Sequence, residues 1–135
     1  MSEFKVYYED TDASGRVYHA NYLKFFERGR TDLIYQTKYT HDILLNKFNI
    51  IFVVKECSVK FIKPALFEDT IKVNTKIDEL TRVKIKFNQK IYRGNDLLAE
   101  AQILVLPVSK SGKISKLPNE IYLFLSHVYP FIPLI

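Results

Sequence analysis

Residues 7–30 read Tyr7-Tyr8-Glu9-Asp10-Thr11-Asp12-Ala13-Ser14-Gly15-Arg16-Val17-Tyr18-His19-Ala20-Asn21-Tyr22-Leu23-Lys24-Phe25-Phe26-Glu27-Arg28-Gly29-Arg30, and their character changes twice. The stretch begins inside an aromatic and β-branched run, residues 3–9, that predicts a first strand. Residues 10–16 are polar and contain Gly15, which predicts a loop. From about His19 to Gln36 the spacing turns helical. At about 100° per residue, Tyr22, Phe26, Gly29 and Leu33 share one stripe, with Leu23 and Phe25 on its flanks. Lys24, Arg28 and Thr31 fall opposite, and Arg28 and Asp32 are spaced for an i,i+4 pair. Arg30 projects near the apolar stripe, which calls for a buried carboxylate partner or a subunit boundary.

Outward from that helix, residues 37–49 are mixed and read as loop with a short helix. Residues 50–62 alternate irregularly as a strand that Pro64 stops. Residues 70–77 alternate cleanly, placing Ile71, Val73 and Ile77 on one face and Lys72, Asn74 and Lys76 on the other. Residues 83–91 repeat the pattern with Val83, Ile85, Phe87 and Ile91 inward, and the link Asp78–Arg82 suits a hairpin. Arg93-Gly94-Asn95-Asp96 is a second turn signal before a strand from Leu97 to Leu106. Ser109–Lys116 reads as an exposed loop, and Pro118-Asn119-Glu120 as the opening of a terminal helix. One strand, one long helix and four strands joined mainly by hairpins predict an α+β fold: an antiparallel sheet with a helix on one face. The apolar end, residues 121–135, suits docking on the domain or on a second subunit better than contact with a membrane. Pro130 and Pro133 break any continuous helix there, and an interfacial helix would need a polar lysine face.

The 135 residues suffice for one domain with a real core, residues 1–135. Apolar residues make up 47% and charged residues 26%, a globular composition. Cys57 stands alone, so no intrachain disulfide forms, which suits a reducing compartment. The N-terminus lacks a signal-like apolar run, and nothing approaches the roughly 18 apolar residues of a membrane span. A cytoplasmic location is expected. The net charge of +5, from 20 Lys and Arg against 15 Asp and Glu, suits a polyphosphate ligand, nucleic acid or an anionic surface. Lys84, Lys86 and Lys90 alternate with apolar residues, however, as on a solvated sheet face. No dense basic run argues for nucleic acid.

Glu9, Asp10 and Asp12 crowd between an aromatic strand and a helix start, which fits a metal site, a catalytic carboxylate or a solvated loop. Asp10, Asp12, Ser14 and Gly15 match the opening of a calcium loop, but Asn21 stands where a bidentate Glu is required and a strand precedes the loop. His19, His41 and His127 have no metal-ligand spacing, so no metal is expected. There is no Gly-x-Ser-x-Gly elbow, and Cys57 sits in an apolar strand-like stretch that suggests packing. What remains is a carboxylate facing a helix N-terminus. Free backbone N–H groups near His19 can polarise a carbonyl, and Asp12 can attack it or activate a water, with Gly15 allowing the turn. On the residues alone, an ordinary cap or a solvated charge stands beside that reading.

The residues Tyr8-Glu9-Asp10-Thr11-Asp12, Gly15, Val17-Tyr18-His19-Ala20-Asn21-Tyr22-Leu23, Phe26 and Glu27-Arg28 resemble the signature of the 4-hydroxybenzoyl-CoA thioesterase-like hot-dog superfamily. The resemblance is greatest to its Tol–Pal-associated acyl-CoA thioesterase branch (YbgC-type). Phe61-Ile62-Lys63-Pro64-Ala65, followed by Asp69, resembles the family's second-strand ending, and the likeness runs to about Leu106. The resemblance implies a hot-dog fold, a sheet wrapped around one long helix, and hydrolysis of acyl-CoA without a cofactor. It makes Asp12 the nucleophile or general base and Tyr8 and His19 its supporting residues, the His19 backbone N–H pointing at the thioester oxygen. Gly15, Val17 and Tyr18 become substrate-side residues, and Lys60 and Lys63 candidates for the CoA phosphates. Strand alternation puts Lys60 and Ile62 on one side and Lys63 on the other, so at most one lysine should face the pocket. Acyl carrier protein is the alternative carrier, and a non-catalytic binder of acyl-CoA or of that carrier protein is the alternative function. A hot-dog dehydratase needs a His–acid pattern that is absent here. Unpaired edge groups predict a homodimer or homotetramer. Gly29 stands where the family usually has Ala, and Asp32 where Glu is common.

Overall fold

In the computed structural model, which describes residues 1–128, five antiparallel strands form one sheet in the order β1-β3-β4-β5-β2. They are β1 (Ser2–Lys5), β2 (Ile51–Phe61), β3 (Thr70–Thr81), β4 (Lys84–Arg93) and β5 (Asp96–Val108). Helix α1 (Tyr22–Ile34) lies across the inner face, α2 (His41–Phe48) leads into β2, and α3 (Asn119–Val128) follows β5. The tail Tyr129–Ile135, read above as a docking segment, lies outside the described residues.

Strict alternation builds the central strands. Ile71, Val73 and Ile77 of β3, Ile85, Phe87 and Ile91 of β4, and Ala99, Ala101, Ile103 and Val105 of β5 are all buried against the helix side. Both hairpins close on two residues, with Thr81 opposite Lys84 and Arg93 opposite Asp96. Gly94 takes φ +58°, the left-handed conformation such turns need. The strands therefore run further into the first hairpin than the alternation suggested. Val83, expected inward, sits in the turn and is exposed.

The first strand stops at Lys5 and not at Glu9. The carboxylate of Asp10 accepts the Tyr7 N–H (2.9 Å), while the Asp10 N–H donates to the Tyr7 carbonyl (3.0 Å), curling residues 8–10 into a 3-10 turn. The long helix likewise begins with a 3-10 turn, His19–Asn21. Its buried residues are Tyr22, Phe25, Phe26, Gly29, Leu33 and Ile34, whereas Leu23 is exposed. Arg28 forms no ion pair with Asp32 among the described residues and instead lies over the Phe25 ring, 5.8 Å from its centroid. Arg30 has found no buried carboxylate: its Nη1 donates to the amide oxygen of Gln89 (3.0 Å). In the mixed segment, the Thr40 hydroxyl caps α2 by accepting the Ile43 N–H (3.2 Å), and Asn49 ends the helix at φ +53°.

α1 packs over β1 and β3, close enough to β3 that a side chain at Gly29 would collide with Val73 and Thr75. This leaves β2 only partly covered on the same face. Phe52, Val54, Cys57, Val59 and Phe61 pair with inward positions of β5, a bulge at Lys55 keeping Val54 and Cys57 in that row. Val54 is 51% and Phe61 53% exposed. Cys57, expected to be packed, is exposed as well.

Candidate active site

The loop between the first 3-10 turn and the helix is a closed knot of backbone bonds. The Asp12 N–H donates to Arg16 (2.9 Å), and the Gly15 N–H donates back to Asp12 (3.1 Å). Gly15 holds φ +77°, which residues with a Cβ adopt only under strain. One carboxylate oxygen of Asp12, Oδ1, accepts both the hydroxyl (2.5 Å) and the N–H (2.8 Å) of Ser14. The Ser14 hydroxyl first, then the Ser14 N–H and the nearby Arg16, hold the Asp12 carboxyl below its ordinary value. Asp12 is exposed, and the Arg16 backbone N–H also acts on its carboxylate, beside the two Ser14 bonds to Oδ1. It is an ionised carboxylate, held by Ser14 on one oxygen and open to water.

Opposite stands the start of the helix. The Tyr18 N–H donates to the Asp10 carbonyl (3.0 Å) and the Asn21 N–H to the Tyr18 carbonyl (2.8 Å). The N–H groups of His19 and Ala20, between them, have no acceptor among the described residues. Asn21 fastens the two parts together, its Nδ2 donating to the carbonyls of Asp10 (2.9 Å) and Glu9 (3.3 Å). Of the three crowded acids, then, Asp10 is buried as a structural acceptor and only Glu9 and Asp12 face water.

Between loop and sheet lies an open cleft of about 310 Å³. Asp12, Arg16 and Val17 form one wall, Phe61, Ile62 and Lys63 the other, and His19 and Tyr22 join them. The second wall is stapled to the first. Arg93 Nη1 donates to Asp69 (2.6 Å) and to the Pro64 carbonyl (3.2 Å), and Asp69 also accepts the Leu66 N–H (2.8 Å). Val17 and Phe67 donate to Ala65 and Gly15 (2.9 and 3.0 Å), and Ala65 donates to the Tyr22 hydroxyl (3.0 Å). Sequence reasoning saw Arg93 only as a turn residue. The signal that marks it as a clamp is an acid, Asp69, at the foot of the neighbouring strand.

Of the residues singled out in the sequence, the structure brings Asp12, Val17, His19 and Lys63 together in the cleft. Gly15 shapes the loop, and Tyr18, outside the lining, has its ring 4.4 Å from that of His19. Tyr8 does not line the cleft. It stacks on Phe67 at 4.0 Å and so buttresses the second wall. Lys60 is not brought there either: it lines a polar depression with Ser58, Asn88 and Glu100. Alternation misplaced Ile62 and Lys63, because β2 ends at Phe61. Their N–H groups both turn to the Leu98 carbonyl (2.8 and 3.0 Å), and both residues line the cleft. Lys63 Nζ also lies 3.2 Å from Asp96. Among the described residues no three His, Cys, Asp or Glu side chains gather to hold a metal.

A carboxylate sharing a cleft with a helix start whose N–H groups are unpaired is suited to chemistry at a carbonyl. The chain is 36% identical over 126 residues to the acyl-CoA thioesterase YbgC of Haemophilus influenzae, 92% of each chain being covered. It is 38% identical over 105 residues to the acyl-CoA thioester hydrolase YbgC of Escherichia coli O6:H1, covering 77% of this chain and 78% of that one. A crystal structure of a probable thioesterase from Bartonella henselae superposes with a TM-score of 0.84 at 32% identity, over 87% of this chain and 97% of that one. The sheet wrapped on a single helix is the hot-dog arrangement expected above. A family model described as the thioesterase-like superfamily matches residues 6–125, a span that holds both walls of the cleft, and the chain belongs to that family.

Proposed function

We propose that this protein hydrolyses acyl-CoA thioesters in the cytoplasm. Asp12 attacks the thioester carbonyl or activates the water that does, and the N–H groups of His19 and Ala20 hold the carbonyl oxygen. The observation that carries this is an ionised carboxylate lining one cleft with His19, the first residue of a helix start whose His19 and Ala20 N–H groups have no acceptor among the described residues. By the water route, Asp12 takes a proton as the water oxygen bonds to the carbonyl carbon. The charge moves to the carbonyl oxygen, where the N–H groups receive it. The oxyanion then collapses, the C–S bond breaks, and the proton passes to the leaving sulfur, giving free acid and CoA. By the direct route, Asp12 Oδ2 forms the bond, the thiolate leaves, and water cleaves the resulting anhydride.

Lys63, with Arg16 on the opposite wall, meets the CoA phosphates in this proposal. Its contact with Asp96 is exposed and worth little, so the lysine is free to change partners. Thiol release from a panel of acyl-CoAs tests the activity. A protein that binds these esters but frees no thiol is the non-catalytic alternative. In the same assay, Lys63→Ala should raise KM for CoA esters, less so at high salt, and leave KM for a truncated thioester without the nucleotide nearly unchanged. Equal weakening toward both substrates would mean that Lys63 does not serve the nucleotide.

The working unit in this proposal is a homodimer, with a tetramer as its further assembly. β2 is an edge strand of 11 residues whose mostly apolar inner row is only partly covered, the kind of edge that a second copy covers by pairing strand to strand. Light scattering should give a dimer or larger at micromolar concentration. A monomer there would remove the assembly from the proposal.

A further inference from the structure

A second cavity, of about 140 Å³, opens between α1 and the beginning of β2. Its floor is apolar, Phe52 and Val54 on β2 lying beside Val105, Ile85 and Phe87 on the same sheet face, and Arg30 enters it from the helix. The guanidinium lies 6.0 Å from the Phe87 ring centroid. It offers five N–H donors, and Gln89 accepts from one of them at 3.0 Å. Gln89 is fully buried, and its Nε2 is spent on the Phe26 carbonyl (2.8 Å) and the Thr75 hydroxyl (2.9 Å), which turns its oxygen toward Arg30. Arg30 forms no ion pair among the described residues. Glu27 also lines the cavity but is exposed, and it accepts a bond from Thr31 at 3.3 Å. Burial is the larger effect on Arg30 and the exposed Glu27 opposes it only from a distance, so a cation held by a buried amide in an apolar cavity without a direct ion pair is a costly arrangement that an anionic ligand relieves.

Position along β2 connects this cavity to the chemistry. The Asp12 cleft sits at the far end of the strand, at Phe61 and Ile62, and the cavity at its start, at Phe52 and Val54. At about 3.3 Å per residue the two are roughly 30 Å apart within one chain, too far for one short acyl group. Two β2 strands paired antiparallel about their midpoint, near Glu56, exchange those ends. The cleft of one copy then lies beside the cavity of its twin.

We infer that in the dimer this cavity receives the acyl group of a thioester held in the twin's Asp12 cleft, and that Arg30, fixed by Gln89, binds a carboxylate at its distal end. The preferred substrates are then CoA half-thioesters of short dicarboxylic acids. Cavity size sets the length. A space of about 150 Å³ holds a benzene, about six heavy atoms, which matches a glutaryl group beyond its thioester carbon. The inference rests on the thioesterase reading above and on pairing through β2.

The test compares glutaryl-CoA with hexanoyl-CoA, of nearly equal length and without the charge. Wild type should favour glutaryl-CoA in kcat/KM by about tenfold or more, the scale of one charge-assisted contact. Arg30→Gln should lower that ratio by a similar factor, chiefly by raising KM for glutaryl-CoA, and Arg30→Lys should retain part of the preference. Hexanoyl-CoA turnover reports whether each variant is folded. Equal use of the two esters by wild type overturns the inference, as does a ratio that Arg30→Gln leaves within about twofold. If wild type frees thiol from neither ester, the thioesterase reading falls by itself. Binding then decides the inference by calorimetry: glutaryl-CoA must bind the more tightly, and equal affinities overturn it.

Discussion

Asp12→Asn is expected to leave the protein folded and to lower kcat for acyl-CoA by about 10²- to 10⁴-fold, the range for losing a positioned base. The fold should survive because asparagine keeps an oxygen where Oδ1 stands, so the Ser14 hydroxyl and N–H retain their acceptor. The residue is exposed, and its uncharged amide meets no tight packing. What disappears is the negative charge that either route requires. Thermal melting should coincide with wild type while thiol release collapses. Turnover within a few-fold of wild type would show that another group carries the chemistry. His19→Ala should cost much less, since alanine keeps the backbone N–H and loses only the ring contacts with Tyr18 and Phe61.

The same carboxylate sets the acid limb of the pH profile. Its value in the folded protein is lowered, so the active anion persists as pH falls, and activity is lost only on passing below the ordinary 3.8. The Ser14 hydroxyl is the largest cause of that shift. Ser14→Ala should therefore move the limb upward while the plateau rate is kept.

Much of this could be read in the chain, for reasons that differ by element. β3, β4 and β5 pair with close neighbours in sequence, and each has one face on the core, so period-two alternation records them directly. Val83 escaped because a two-residue turn leaves no inward place for it, a matter of where a strand ends and not of its period. Tyr7 and Tyr8 have strand-like side chains, yet a carboxylate three residues along captured the backbone first. At the candidate site the resemblance marked Asp12 and His19. Its structural content, an exposed carboxylate fixed by Ser14 and two unpaired N–H groups, depends on what other segments leave unbonded and has no signature in composition. Lys60 and Lys63 show the same limit, since a bend after Phe61 turned only Lys63 into the cleft. Gln89 was legible and overlooked: it sits in the inward row of β4, between Phe87 and Ile91, where a polar residue must find partners in the core.

Gly29→Ala is expected to destabilise the protein by about 2 kcal/mol, although helix propensity taken alone predicts a gain of about 1 kcal/mol. A Cβ built there would lie 2.7 Å from Val73 Cγ1, 2.9 Å from the Thr75 hydroxyl and 3.1 Å from Gln89 Nε2. Two of those separations are shorter than real Cβ contacts allow, so something must move. Val73 is buried, and its branched side chain has few other rotamers in a packed strand. Thr75 and Gln89 are bonded to each other, and Gln89 also to the Phe26 carbonyl, so displacing either leaves a buried polar group short of a partner. Overpacking costs about 1–3 kcal/mol and a lost buried hydrogen bond a similar amount, which together outweigh the propensity gain. The alternative is for α1 to lift off β3, which gives up contacts along the whole helix. For a domain of this size the net loss should lower Tm by about 5–10 °C. A Gly29→Ala variant that melted at or above the wild-type temperature would show that the helix here can withdraw at no cost, and that the close approach at Gly29 does not fix how α1 sits on the sheet.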